Sequence, residues 1–481
     1  MRTDLARTSR PSSASTVRRL LTFSQDGNAT GIYGGKVASS FLRDAVAGGD
    51  SVDVITIGDS NTGYSQGGFG GGGGGWTRGW LRAMNDAGIQ TYSSPQMPIM
   101  AGSGVTASVQ NVREDDGTTI TTTAGYFGNV LAPYGSVARG SASGPAAVTT
   151  MLVPGSTFLP YSLSNFDYAY IPSGSSAQTF GQLNATYPGG SAPNPALPSW
   201  NSPGQNLKYR VVYVASSTAG GSINPTIYRV TGGSYVSLAT KSQTTYNASG
   251  NILSETDLDF TMPTTSPASA LVFGWNYIGF GYGPCQIAFD SVYKVTRGCA
   301  VNQLHYGSGQ SVSTISSVIS GATTGGSTFL RSYLTSIIRR QQSAGGSGKV
   351  IIWINYGINS PTTGPLFVSG TASAISTISS EWSAMGGNPN NIAFVCSATH
   401  PLDADYGGTT EASLAENRTY LNAYASGLRN VTAVDFSALI RASQMTSSGY
   451  YSGAGANEAH LSQAGYYELS RRMVSALIAS A

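Results

Sequence analysis

Apolar residues along this chain follow two rhythms. From Val52 to Gly58 (V-D-V-I-T-I-G) the run is nearly continuous and β-branched, the pattern of a central parallel strand covered on both faces. Runs of the same kind return at 299–304, 350–354, 392–395 and 431–434. Between and after them the apolar positions take helical spacing. This holds over 35–48, at Trp76, Trp80, Met84 and Ala87, over 329–341, 372–385 and 414–428, and over 462–479, where Ser462 is placed to cap. Strands alternating with helices predict a parallel sheet with right-handed crossovers, so the carboxyl ends of all these strands should open onto one edge.

Between the two α/β stretches the rhythm is different. Over 91–297 helical periodicity disappears, and Gly, Pro, Ser and Thr punctuate short apolar runs such as 209–214, 226–230 and 270–275. This predicts an all-β region, sandwich- or jelly-roll-like, inserted after the first helices of the α/β part. The resulting division is an arm at 1–30, a first α/β part at 31–90, the β-rich insertion at 91–297 and a second α/β part at 298–481. Tyrosines of the insertion, with Trp200 and Trp275, could stack on sugar rings or fill core and surface.

Composition narrows the class. The 481 residues include 62 Gly and only 10% charged side chains, against about 25% in typical domains. A surface of Gly, Ser, Thr, Asn and Tyr suits secreted β-rich and carbohydrate-facing proteins better than cytoplasmic enzymes. With 26 basic and 23 acidic residues, the net charge of +3 gives no footprint for nucleic acid. No apolar run approaches the roughly 18 residues of a membrane span. Of the three cysteines, Cys285 and Cys299 could pair or remain thiols. The arm carries Arg2, Arg7, Arg10, Arg18 and Arg19 against Asp4 and Asp26, without the apolar core of a secretory signal. It is expected to pack on a neighbouring subunit or larger assembly.

Candidate chemistry gathers at the strand ends. The first strand runs into Gly58-Asp59-Ser60-Asn61, a turn composition that also exposes a hydroxyl where open α/β sheets bind ligands. The six glycines at 70–75 lack the Lys-Ser/Thr of a phosphate loop, so a nucleotide site is not indicated. Acyl transfer requires a nucleophile, a base and donors for an oxyanion. Ser60 is the candidate nucleophile. The base must come from His305, His400 and His460, of which His305 and His400 also read as satisfied loop histidines.

G-D-S-N at 58–61, G-I-N at 357–359 and N-E-A-H-L-S-Q-A-G-Y at 457–466 together resemble the SGNH (GDSL-type) hydrolase superfamily. The resemblance covers about 50–90 and 298–481 and leaves out the β-rich middle. It implies a flavodoxin-like three-layer α/β/α domain and a serine esterase that needs no metal and no cofactor. Ser60 would be the nucleophile and, through its N–H, one oxyanion donor; Asn359 would be a second donor and His460 the base. The family's glycine maps to Gly309, which follows a strand, or to Gly104 inside the insertion; Gly309 is preferred. Where the family has an aspartate three residues before the histidine, this chain has Asn457. Glu458 could substitute, a carbonyl could orient His460 in a dyad, or activity could be weakened. Asp59 would brace the turn. The substrate expected is an acylated glycan or small ester, with acetyl the favoured acyl group. The low charge and basic arm also look like a bacteriophage virion or tail protein, an extracellular or virion-associated component that binds host glycans with weak or no catalysis.

Overall fold

A computed structural model of the chain describes residues 31–59, 61–62, 75–89, 91–93, 206–215, 221–231, 234–246, 252–261, 271–278, 285–294, 299–305, 345–359, 364–406, 408–451 and 460–481, with short fragments elsewhere. It is a mixed α/β structure with several sheets. In chain order the elements used below are β1 (Ile32–Gly34), α1 (Val37–Val46), β2 (Val52–Gly58), α2 (Gly75–Asp86), β3 (Thr91–Ser93), β4 (Asn206–Ala215), β5 (Ser222–Thr231), β6 (Ser234–Thr240), β7 (Ile252–Thr261), β8 (Leu271–Ile278) and β9 (Cys285–Lys294). They continue with β10 (Cys299–His305), β11 (Lys349–Tyr356), α3 (Pro365–Ala384), β12 (Ile392–Ala398), α4 (Glu411–Ser426), β13 (Val431–Val434) and α5 (Gln463–Ala479).

Seven strands form one sheet in the order β1-β13-β12-β11-β2-β10-β3. Every neighbouring pair is parallel except β1 against β13. Counting β2, β10, β11, β12 and β13 as first to fifth, their order across the sheet is 2-1-3-4-5, that of a doubly wound sheet. The chain leaves β2 for β10 on one side and then crosses to β11 on the other. The topological switch point therefore lies between the carboxyl ends of β2 and β11, the place where such sheets open a crevice for ligands.

The continuous apolar strands are explained by two cores, one on each face. Ile55, Ile57, Ile352, Ile354, Phe394 and Cys396 pack with Phe367, Ile378 and Trp382 of α3 and Leu421 of α4. The intervening residues Val54, Ile351, Trp353 and Val395 pack on the opposite face with Leu42 of α1, Trp80 and Met84 of α2 and Leu469 and Met473 of α5. Alternate side chains of each strand thus enter different cores, and both must be apolar.

Several expectations hold with shifted ends. Ser462 caps α5, its hydroxyl accepting from the Gly465 N–H at 3.1 Å. Helix α3 begins several residues before the periodic stretch at 372–385. Helix α4 begins at Glu411, behind a Thr410–Ser413 capping box, and ends before Leu428. Residues 91–93, assigned by pattern to the β-rich stretch, are the outer strand of the parallel sheet. The helix expected over 329–341 lies largely outside the described residues, as do the arm at 1–30 and the glycines at 70–74. Among the described residues no helix is long and apolar enough to cross a membrane.

The middle of the chain is antiparallel. Strand β4 lies between β7 and β9, and β5 between β6 and β8. Along β4 the side chains of Tyr209, Val211 and Tyr213 are buried. The intervening Arg210 is buried too, in a bidentate pair with Asp257 of β7 at 2.5 and 2.7 Å. Tyr213 donates to the Thr244 carbonyl beside β5 at 3.3 Å, linking the two sheets. The Cys285–Cys299 disulfide left open by the sequence is not formed. Cys299 carries a buried thiol directed at the Val52 carbonyl.

Gly58 ends β2 because nothing larger fits. A Cβ there would lie 1.9 Å from Thr62 Oγ1 and 2.7 Å from the Asn355 carbonyl oxygen. Gly58→Ala is expected to destabilise the chain by about 1–3 kcal/mol through overpacking, lowering the urea midpoint at unchanged m. An unchanged midpoint would mean that both Thr62 and the Asn355 carbonyl give way without cost.

Candidate active site

At the switch point the chain turns directly after β2. The Asp59 carboxylate accepts the Asn61 N–H at 3.0 Å, the Asp59 carbonyl accepts the Thr62 N–H at 2.9 Å, and the Asn61 carbonyl accepts the Trp76 N–H that opens α2 at 3.1 Å. Asp59 and Asn61 are both buried. Across the crevice, the chain leaving β11 turns through Gly357, whose φ of 136° favours glycine, and presents Asn359. Asn359 Nδ2 donates to Asp59 Oδ2 at 3.3 Å, joining the two strand ends.

Helix α5 closes the floor. Tyr466 donates its hydroxyl proton to Asn61 Oδ1 at 2.6 Å and stands edge-on to Trp76 at 5.2 Å. That bond fixes the orientation of the Asn61 amide. Its Nδ2 lies close enough to the Asp59 carboxylate to favour the charged form but outside hydrogen-bond geometry. Trp76 is also edge-on to Trp353 and stacks on Phe436. The turn thus rests on an aromatic cluster drawn from β11, α2, α5 and the Phe436–Leu439 helix.

His460 arrives just before α5. Residues 451 and 461 pair as an antiparallel bridge, and the Ser462 N–H donates to the Tyr450 carbonyl at 2.8 Å. His460 is buried, and burial lowers its pKa from 6.5, so the neutral ring is favoured at neutral pH. His400, two residues past β12, is fully buried with its ring between Trp76 and Tyr451. Burial first, then the nearby His460 and Arg418, push its pKa down to about 3. Its Nδ1 is 3.3 Å from Thr399 Oγ1, whereas Nε2 has no hydrogen-bond partner among the described residues.

Of the residues singled out from sequence, Asp59 and Asn359 are described and meet at the carboxyl ends of β2 and β11, and His460 is described and near His400, two residues past the end of β12. Ser60, Gly309, Asn457, Glu458 and Gly104 lie outside the described residues, as does the His305 side chain. Asn61, Tyr466 and Trp76 take structural parts that the motifs did not signal. Among the described residues no group of three or more His, Cys, Asp or Glu side chains is arranged to hold a metal ion.

No protein-family model matches the chain, and neither does any curated protein. Among solved structures, similarity extends to a family 16 carbohydrate-binding module (7% identity, 27% of this chain and 77% of that one, TM-score 0.18). A family two carbohydrate esterase from Cellvibrio japonicus gives 8% identity over 52% of this chain and 95% of that one, TM-score 0.14. A CBM22-1–GH10 xylanase from Clostridium thermocellum, complexed with xylohexaose, gives 11% over 77% and 63%, TM-score 0.17. Scores this low establish neither a shared fold nor a shared activity.

The buried carboxylate makes a thermodynamic prediction. Burial raises the Asp59 pKa from its ordinary 3.8 to about 6 against the pull of its donors. Between those two values the folded chain holds the proton more tightly than the unfolded chain, so this group's contribution to stability falls as pH rises through the interval and stays low above it. Asp59→Asn is therefore expected to gain about 1–3 kcal/mol over wild type at pH 7 and little at pH 4, read from urea unfolding at both pH values. A variant less stable by the same amount at both would show that the charge is fully compensated.

Proposed function

We propose that the chain is a serine esterase of the SGNH type that removes a small acyl group, acetyl being favoured, from a carbohydrate. The observation that carries this reading is the Asp59–Asn359 hydrogen bond across the β2/β11 switch point. It joins the strand end that bears the G-D-S-N motif to the one that bears G-I-N, with Ser60 the residue between Asp59 and Asn61. The 2-1-3-4-5 strand order and the helices on both faces support the same family reading.

In this reading Ser60 Oγ attacks the ester carbonyl while His460 takes its proton. The oxyanion is held by the N–H groups of Ser60 and Gly309 and by the Asn359 side-chain amide. One amide hydrogen of Asn359 serves Asp59, and the second is left for the substrate. Collapse expels the sugar hydroxyl, protonated by His460; water activated by the same ring then hydrolyses the acyl-enzyme. With Asn457 at the usual aspartate position, ring orientation falls to neutral groups. The 91–297 region, with its aromatic residues, would present the glycan; this part of the reading rests on composition.

Two measurements test it. Ser60→Ala should reduce turnover of 4-nitrophenyl acetate by about a thousandfold or more. Equal rates in both proteins would overturn the esterase and leave the glycan-binding virion component. In wild type, kcat/KM should rise with pH along a limb centred below 6.5, because His460 must be neutral and its pKa lies below that value. A limb at or above 6.5 would contradict His460 as the base.

A further inference from the structure

Beside the candidate base lies a second histidine that the reading above does not use. Three observations distinguish His400 from a core filler. It follows Thr399, whose φ of 40° makes it the sole described non-glycine residue in the left-handed region, a conformation that costs free energy and collects at functional sites. Its ring is completely buried, yet among the described residues Nε2 has no hydrogen-bond partner, an omission worth about 1–3 kcal/mol that an apolar residue would avoid. Finally, Tyr451 ties its segment to that of His460. The Tyr451 hydroxyl donates to the Pro401 carbonyl at 2.8 Å, its ring lies 6.1 Å from that of His400, and its backbone pairs with Leu461, the residue after His460.

We propose that His400 is a positioning residue for His460, its Nε2 accepting the ring N–H of His460 through one bridging water and so orienting the base where Asn457 replaces an aspartate. The tautomer required has Nδ1–H donating to Thr399 Oγ1, which leaves the Nε2 lone pair available. The groups acting on the pair are Arg418 and, on Tyr451, Asp403 and Glu411. Arg418 is held by Glu411 and lies 3.5 Å from Asp435. Because burial, His460 and Arg418 keep His400 neutral far below neutral pH, it can orient an imidazolium but supplies no charge to stabilise it.

The inference rests on the esterase reading, and its test uses two readouts so that the two can fail separately. In the full-length chain, His400→Phe should keep or raise the melting temperature while lowering kcat by about 10- to 100-fold at similar KM, the range seen when an outer-shell partner of a metal-bound imidazole is lost. His400→Gln, whose carbonyl can accept, should recover part of the rate. Independently of turnover, 15N-histidine labelling gives three ring signals, and that of His460 should titrate at lower pH in His400→Phe than in wild type. Unchanged kcat and an unchanged His460 titration in His400→Phe would overturn the inference. A wild type inactive on every ester but with a shifted His460 titration would overturn the esterase and retain the pairing. Should His400→Phe fail to fold, His400→Leu, which also lacks an acceptor, takes its place, and an unshifted His460 titration together with full activity in that variant would overturn the inference equally.

Discussion

A buried carboxylate held between two strand ends governs the organisation of this molecule. Asp59 sits at the carboxyl end of the central strand, fully enclosed, and stays partly ionisable because the Asn61 backbone and the Asn359 side chain donate to it. Each donor belongs to a different side of the switch point between β2 and β11. Removing either would raise the Asp59 pKa further and drive the buried carboxyl toward its neutral form. The geometry of the crevice is therefore coupled to the solvation of one side chain, and the two apolar cores exist to hold the strands that bring these donors together.

That dependence explains why aromatic residues crowd beneath the turn. Trp76 receives the turn on its backbone N–H and meets Trp353, Phe436, Tyr466 and His400 with its ring. Tyr466 pins the Asn61 amide from α5, and a Cβ on Gly79 of α2 would lie 2.4 Å from Ser470 Oγ, so the two helices approach as closely as glycine permits. Rigid, flat side chains exclude water from the Asp59 side of the crevice while helix packing fixes their planes. The same enclosure depresses the pKa values of His400 and His460, which keeps a nearby imidazole neutral and able to act as a base.

Strands β2, β11, β12 and β13 were legible in the sequence because burial on both faces forces nearly every position to be apolar. Strand β1 was not, being three residues long at an edge, and the first turns of α3 were hidden because Gly370 and Thr371 are buried there without an apolar signal. In the crevice, Asp59, Asn359 and His460 could be picked out by their place in short motifs at strand ends. The Tyr466–Asn61 bond spans 405 positions, and His400 is enclosed by Trp76 and Tyr451 from distant parts of the chain. Neither relation leaves a local pattern, so a fully buried histidine read as an ordinary loop residue.

The central claim is that the turn braced by Asp59 carries a nucleophile. Labelling the full-length chain with a fluorophosphonate, followed by digestion and mass spectrometry, tests it most directly, because the probe forms a stable bond only with an activated hydroxyl. The expected result is a single adduct on Ser60 that disappears in His460→Ala. An adduct confined to another residue, or none at all under conditions that label a known serine esterase, would contradict it.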